Sequence, residues 1–163
     1  MERARPARPD DTARLIELCD EALAEVSSRR GGRQLAYSVL AGHSVPARLA
    51  LALADPDEQV IAGELSGALL GVGLIRRDPL AAGNVAAVEV LFVDPGARGV
   101  GLGESMMDAM TEWAIGHGCR GIDAMALPGS REAKAFFETH GLVARALVMH
   151  RELPLGPSAG GRT

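Results

Sequence analysis

One carboxylate stands inside the apolar run Val85 to Val93: Glu89, flanked by Val88, Val90 and Leu91. An ionised carboxylate in a dry interior is costly unless it is paired or faces water. Such a setting raises its affinity for a proton, which suits a general base. Two readings stand side by side. Glu89 takes a proton from an incoming nucleophile, or it neutralises an arginine such as Arg120 on a neighbouring strand. Just downstream, Arg98-Gly99-Val100-Gly101-Leu102-Gly103 follows a strand and opens a helix at once. Glycine lets the main chain approach a ligand closely. The first amides of a helix lack internal acceptors and sit at the positive end of its dipole. A corner of this kind holds a diphosphate, with Arg98 adding a formal charge.

Other chemistries fit less well. A phosphate loop of the kinase type needs Gly-Lys-Ser or Gly-Lys-Thr where Leu102-Gly103 stands. A dinucleotide fingerprint needs a third glycine where Glu104 stands, and it belongs early in a chain rather than here. A glycine turn without any ligand is the bland alternative, and the coincidence of strand, turn, arginine and helix start weighs against it. No G-x-S-x-G occurs, and nothing links Ser105 to a histidine base. His43, His117, His140 and His150 are scattered without metal-binding spacing, so no metal is expected. His117 and His140 fall at helix ends, where capping is the default. Arg76 and Arg77 read as a solvated strand edge or as contacts to a phosphate.

Positioning these residues takes a sheet. Helices are expected from Asp10 (as N-cap) to about Ser27, over Gln34 to Ala41, and over Pro46 to Ala54. Strands follow over Gln59 to Leu65, Ala68 to Arg76 and Val85 to Val93, with Ser66-Gly67 as a hairpin turn. Leu102, Met106, Met110 and Trp113 form one helical stripe. Arg120 to Leu127 reads as a strand, Ser130 as the cap of a helix reaching His140, Gly141 as its left-handed end, and Val143 to Leu153 as a last strand. The fold class is therefore α/β (α+β): one mixed, mostly antiparallel sheet flanked by helices. A single domain is expected over residues 1–153, with a flexible Pro- and Gly-rich tail over 154–163.

Composition sets outer limits. With 163 residues, 47% hydrophobic and 23% charged, one domain with a substantial core is expected. A net charge of −4 lacks the basic excess of a nucleic-acid binder. Cys19 and Cys119 are too few for a disulfide framework and lie in apolar stretches, as reduced core thiols would. No signal-like or membrane-length apolar segment occurs, so a soluble cytoplasmic protein without membrane partners is expected.

The turn V-D-P-G-A-R-G-V-G-L-G resembles motif A of the GNAT N-acetyltransferase superfamily, Q/R-x-x-G-x-G/A, matched by Arg98, Gly101 and Gly103. Ser130 to Leu142, S-R-E-A-K-A-F-F-E-T-H-G-L, is similar to that family's later helix, N-x-x-A-x-x-x-Y-E-x-x-G-F, and Met149 to Leu153 to its last strand. The specific likeness covers Val85 to Leu153; the first half agrees in element order. The resemblance implies transfer of an acetyl group from acetyl-CoA (coenzyme A) to a primary amine of a small molecule, peptide or protein, in a ternary complex. It implies that the amides of Arg98, Gly99, Val100, Gly101, Leu102 and Gly103 hold the pyrophosphate. The pantetheine arm would lie along Leu91, Phe92 and Val93, and Ser130 would reach it where relatives use Asn. Glu89 stands where relatives often place a base. Phe137 occupies the position of a Tyr that often serves as acid, so that role does not carry over; it is expected to pack against the cofactor arm or the core. Without that Tyr, a weak or inactive acyl-CoA-binding regulatory module is the alternative. A non-amine acceptor or a longer acyl chain is a third. The resemblance also admits a homodimer, and the acceptor is not legible.

Overall fold

The computed structural model describes residues 1–80 and 83–156. Its elements follow in the order β1 (Glu2–Pro6), α1 (Thr12–Ser27), α2 (Gly32–Leu40), α3 (Val45–Ala54), β2 (Glu58–Leu65), β3 (Ala68–Leu80), β4 (Gly83–Val93), α4 (Leu102–Gly116), β5 (Gly121–Ala124) and α5 (Arg131–Thr139). The strands form one sheet in the order β1-β2-β3-β4-β5. The first three pairings are antiparallel, and β5 lies parallel to β4. The expected mixed, mostly antiparallel sheet with flanking helices is what forms.

Both faces of the sheet are covered, which is why the middles of its inner strands, Val60–Gly63, Leu69–Ile75 and Val85–Val88, carry no charge. On one side α1, α2 and α3 bury Leu15, Leu18, Cys19, Val39 and Leu49 against Val60, Val72, Leu74, Val90 and Phe92. On the other, α4 buries Leu102, Met106, Met107 and Met110 against Ile61, Ile75, Ala86 and Val88, with α5 packed at the rim through Phe136 and Phe137. Met side chains fill the irregular space left where β2 and β3 carry Gly63, Gly71 and Gly73. Cys19 and Cys119 are free thiols, and burial pushes that of Cys19 up to about 12.

Several details depart from the sequence reading. Asp10 lies in a single 3₁₀ turn, Pro9–Asp11, so α1 starts at Thr12 behind Asp11. Asp11 makes no cap bond into α1. Its carboxylate accepts instead from the Arg8 amide at 2.7 Å and from Arg5 at 2.7 and 3.0 Å. Ser44, not anticipated, caps α3 by accepting from the Ala47 amide. Ser130 precedes α5, but its hydroxyl makes no cap bond. The strand expected from Arg120 to Leu127 shrinks to Gly121–Ala124, its ladder with β4 ending at the Val88–Ala124 pair, just before Glu89.

The largest correction concerns Val143 to Leu153. No strand forms there, because the segment has no neighbour in the sheet. Its last main-chain tie is the Leu142 amide donating to the Phe137 carbonyl at 3.1 Å. Most of the tail expected over 154–163 lies outside the described residues.

Candidate functional site

β4 carries an irregularity where its chemistry sits. Leu74 faces Val90 and Ile75 faces Val88, so Glu89 is the extra residue of a β-bulge. Before it, Ala86 and Val88 point towards α4; after it, Val90 and Phe92 point towards α1. The bulge sends Glu89 to the α3 side, where it lines a cavity of about 690 Å³ together with Arg48, Glu58, Arg76, His43 and Leu51.

Glu89 is paired, though not with Arg120. Arg48 Nη2 donates to its Oε2 at 2.8 Å, and Arg76 Nε donates to its Oε1 at 2.5 Å. Arg48 also grips both oxygens of Glu58, at 2.7 and 3.0 Å, and donates from Nε to the Val39 carbonyl. Arg76 reaches Asp78 as well, at 2.7 Å. The Arg48 side chain is 10% exposed and that of Glu89 15%, so this is a desolvated network in which every charge has a partner. Arg76 is thus part of the cavity wall rather than a solvated edge, while Arg77 pairs with Asp57. The sequence reading missed Arg48, yet a signal was present: it is the sole charge in Val45–Ala54.

Among the described residues, the β5 side of β4 has no partner strand beyond Val88, since the parallel ladder runs only from Val85–Gly121 to Val88–Ala124. Glu89, Leu91, Phe92 and Val93 therefore border an open edge. Val93 lies four residue steps along the strand from Glu89, about 13 Å. The chain then turns through Asp94, whose carboxylate accepts from the Gly96 amide at 2.9 Å. Gly99 and Gly101 adopt φ of 78° and 92°, conformations that other residues rarely enter, and α4 begins at Leu102. Among the described residues, none of the seven amides from Arg98 to Glu104 has a main-chain or side-chain acceptor; the first satisfied amide is that of Ser105, at 3.0 Å from the Gly101 carbonyl. The corner is open: a Cβ at Gly99 would meet nothing within 4 Å.

Other anticipated residues fall as follows. Arg98 folds back from the turn: Nε donates to the Val93 carbonyl at 2.9 Å, and Nη2 pairs with Glu25 of α1 at 2.7 Å. Val100 is exposed and Leu102 is buried in the α4 core. Phe136, not Phe137, lies over Gly103, its ring 3.3 Å from where a Cβ would stand. Phe137 packs against the α4 core. Tyr37, the only tyrosine of the sequence and one to which the sequence reading gave no role, is 73% exposed and does not line the cavity. His117 and His140 occupy helix C-termini, each Nδ1 2.8 Å from a carbonyl, Trp113 and Phe136 respectively. His43 lines the cavity and His150 is exposed. No helix is long and apolar enough to cross a membrane among the described residues.

Comparison with known proteins adds an independent line. A family model described as the acetyltransferase (GNAT) family matches residues 27–142. No curated protein matches the sequence. Among solved structures, a transcriptional regulator from Bacillus halodurans C-125 superposes with a TM-score of 0.72 at 19% identity, covering 93% of this chain and 100% of its own. Glucosamine-6-phosphate N-acetyltransferase from Arabidopsis thaliana gives 0.68 at 18% identity, over 94% and 99%. AAC(6')-Iy in complex with the bisubstrate analogue CoA-S-monomethyl-acetylneamine gives 0.69 at 15% identity, over 94% and 99%. At these identities the likeness is one of fold.

Proposed function

Because the chain belongs to the acetyltransferase (GNAT) family, which uses acetyl-CoA, we propose that it moves the acetyl group of that thioester onto an amine seated in the cavity beside Glu89. The observation that carries the reading is the row of unsatisfied amides from Arg98 to Glu104, placed at the end of a strand whose outer edge is unpaired. Those amides fit a diphosphate without help from side chains. Arg98, already occupied by Val93 and Glu25, acts in this reading as a brace for the turn. The free edge at Leu91, Phe92 and Val93 accepts the amide-bearing pantetheine arm as a strand would. Ser130, at the start of α5, offers a further hydroxyl.

An amine arrives mostly as ammonium at neutral pH, with a pKa of about 10.4 for a lysine-like group. Glu89 takes the proton, directly or through water, and the freed lone pair attacks the thioester carbonyl. Each of its oxygens keeps a second lone pair beside the arginine it accepts from. A main-chain amide near Leu91 stabilises the oxyanion. The C–S bond then breaks, and the second proton of the attacking nitrogen passes through water to the CoA thiolate, because Phe137 has none to give.

A second reading has its own support. With both Glu89 oxygens held by arginines and no acid at Phe137, the chain binds an acyl-CoA as a regulatory module without turnover. A panel of amines assayed for release of free CoA thiol separates the two. Acetylation of at least one amine is expected, with Glu89→Gln lowering kcat about 10²-fold at neutral pH and leaving the KM for acetyl-CoA unchanged. Acetyl-CoA raising the Tm while no amine is acetylated would install the binding module instead. Unchanged kcat in Glu89→Gln would remove Glu89 from the chemistry.

A further inference from the structure

The two arginines of the cavity differ in how many of their donors are taken. Each nitrogen of the Arg48 guanidinium has an acceptor: Nε the Val39 carbonyl, Nη1 Glu58, and Nη2 both Glu58 and Glu89. Arg76 uses two of its three. Nε donates to Glu89 and Nη1 to Asp78, while Nη2 has no acceptor among the described residues. No buried side-chain nitrogen or oxygen among those residues lacks a partner, so Nη2 is not sealed in the interior. It meets open space, on a side chain 33% exposed in the cavity wall. A guanidinium stays charged and presents planar donors that suit the oxygens of an acid.

The charges around Nη2 set what else the ligand carries. Glu58, Asp78 and Glu89 put three carboxylates against two guanidiniums, and the negative excess favours an ammonium beside Glu89. Glu58 and Asp78 are already held by other nitrogens, so neither competes for Nη2. Asp55 is exposed, where water and salt screen it, and its Oδ1 accepts from the Asp57 amide. Nη2 and Nε are bonded to one carbon, so an acid on Nη2 lies next to the nitrogen that Glu89 receives. An amine and an acid joined at a single carbon match that spacing. A protein lysine, with its amine at the end of a long apolar stem, brings no acid to Nη2. Val39, Ala41, Leu51 and Pro56 supply apolar wall, and a cavity of about 690 Å³ has room for a side chain beyond the two charged groups.

We propose that the acceptor is a free α-amino acid with an uncharged side chain, its ammonium held by Glu89 and its carboxylate by Arg76 Nη2. The inference rests on the acetyl-transfer reading for its chemistry. The nitrogen gives one proton to Glu89 and attacks the thioester carbonyl. The C–N bond forms, the C–S bond breaks, and the second proton passes through water to the thiolate. An N-acetyl-α-amino acid and CoA leave, and Glu89 returns its proton to solvent.

Leucine, methionine and phenylalanine, each beside its amide and its decarboxylated amine, form the test panel, assayed for release of CoA thiol. The free acids are expected to have kcat/KM at least about tenfold above their amides, as a charge-assisted bond to the acid requires. Arg76→Lys keeps the charge and loses the planar fork. It should raise KM for the acids at least about tenfold, with a smaller fall in kcat, and bring acids and amides level. Amides or plain amines used as well as the acids would overturn the assignment and leave acetyl transfer standing. A preference for acids that survives in Arg76→Lys would overturn it too. If no amine is acetylated, acetyl transfer falls, and thermal melts with CoA present decide the site by themselves. A Tm raised by the free acids, and not by their amides or in Arg76→Lys, keeps the amino-acid site; no rise with the acids removes it.

Discussion

Arg48 is the only charge in α3 and Glu89 the only charge in β4, and each compensates the other across the cavity. The arginine carries two carboxylates, Glu58 and Glu89, so its removal leaves two negative charges in a site where neither is well hydrated. Arg48→Met is therefore expected to cost about 3 kcal/mol of stability, read by urea unfolding with an unchanged m-value. Adding Glu58→Gln and Glu89→Gln to the same chain should recover part of that loss, because no unpaired charge then remains. Glu89 was legible from its sequence because a charge in an apolar strand calls for an explanation. Its partners were not. Arg120 on one neighbouring strand was the example considered, whereas the arginines that pair with Glu89 are Arg76 on the other neighbour, β3, and Arg48 from a helix on the sheet's face, a relation that spacing along the chain does not encode.

At the scale of elements, the turn between β4 and α4 combines open space with unsatisfied donors, and Gly101 holds it in a left-handed conformation. An alanine there pays the left-handed penalty of about 1–2 kcal/mol or rotates the amides out of alignment. Gly101→Ala is thus expected to weaken acetyl-CoA binding about tenfold by isothermal titration, while Val100→Ala, at an exposed neighbour, leaves it unchanged. The positions of nearly all helices and strands were readable because apolar periodicity and turn residues agree with one another. Two features escaped. The bulge was invisible because Ala86, Val88, Val90 and Phe92 look like one unbroken alternation, although the first pair and the second face opposite interiors. The last strand was over-read because alternation alone does not supply a neighbour, and among the described residues Val143 to Leu153 form no ladder with the sheet. In the first half of the chain the cavity wall is made by helices without any motif, so only the assembled structure brings Ser38, His43 and Leu51 beside Glu89.

For the whole molecule, the start of the chain is fastened by charge. Arg5, buried on β1, pairs with Asp11 at the head of α1 and with Glu64 on β2 at 2.5 Å. Hydrogen bonds from Arg5, aided by the Arg8 amide and opposed by burial, hold the Asp11 carboxyl below its ordinary 3.8. A carboxyl depressed in the folded state stabilises it above the unfolded pKa, and that contribution drains away as pH falls through the folded value. Acid unfolding is therefore expected to steepen below about pH 4. Asp11→Asn should flatten that limb in a pH series of thermal melts and lower the Tm at pH 7. The bulge in β4 has a final implication for how this domain is put together. Strike out residue 89 and the pleat becomes regular: Val88 still turns towards α4, Val90 towards α1, and every later side chain keeps its side. Position 89 is surplus to the alternation of the strand, and what it adds to the cavity wall is a carboxylate that two arginines receive.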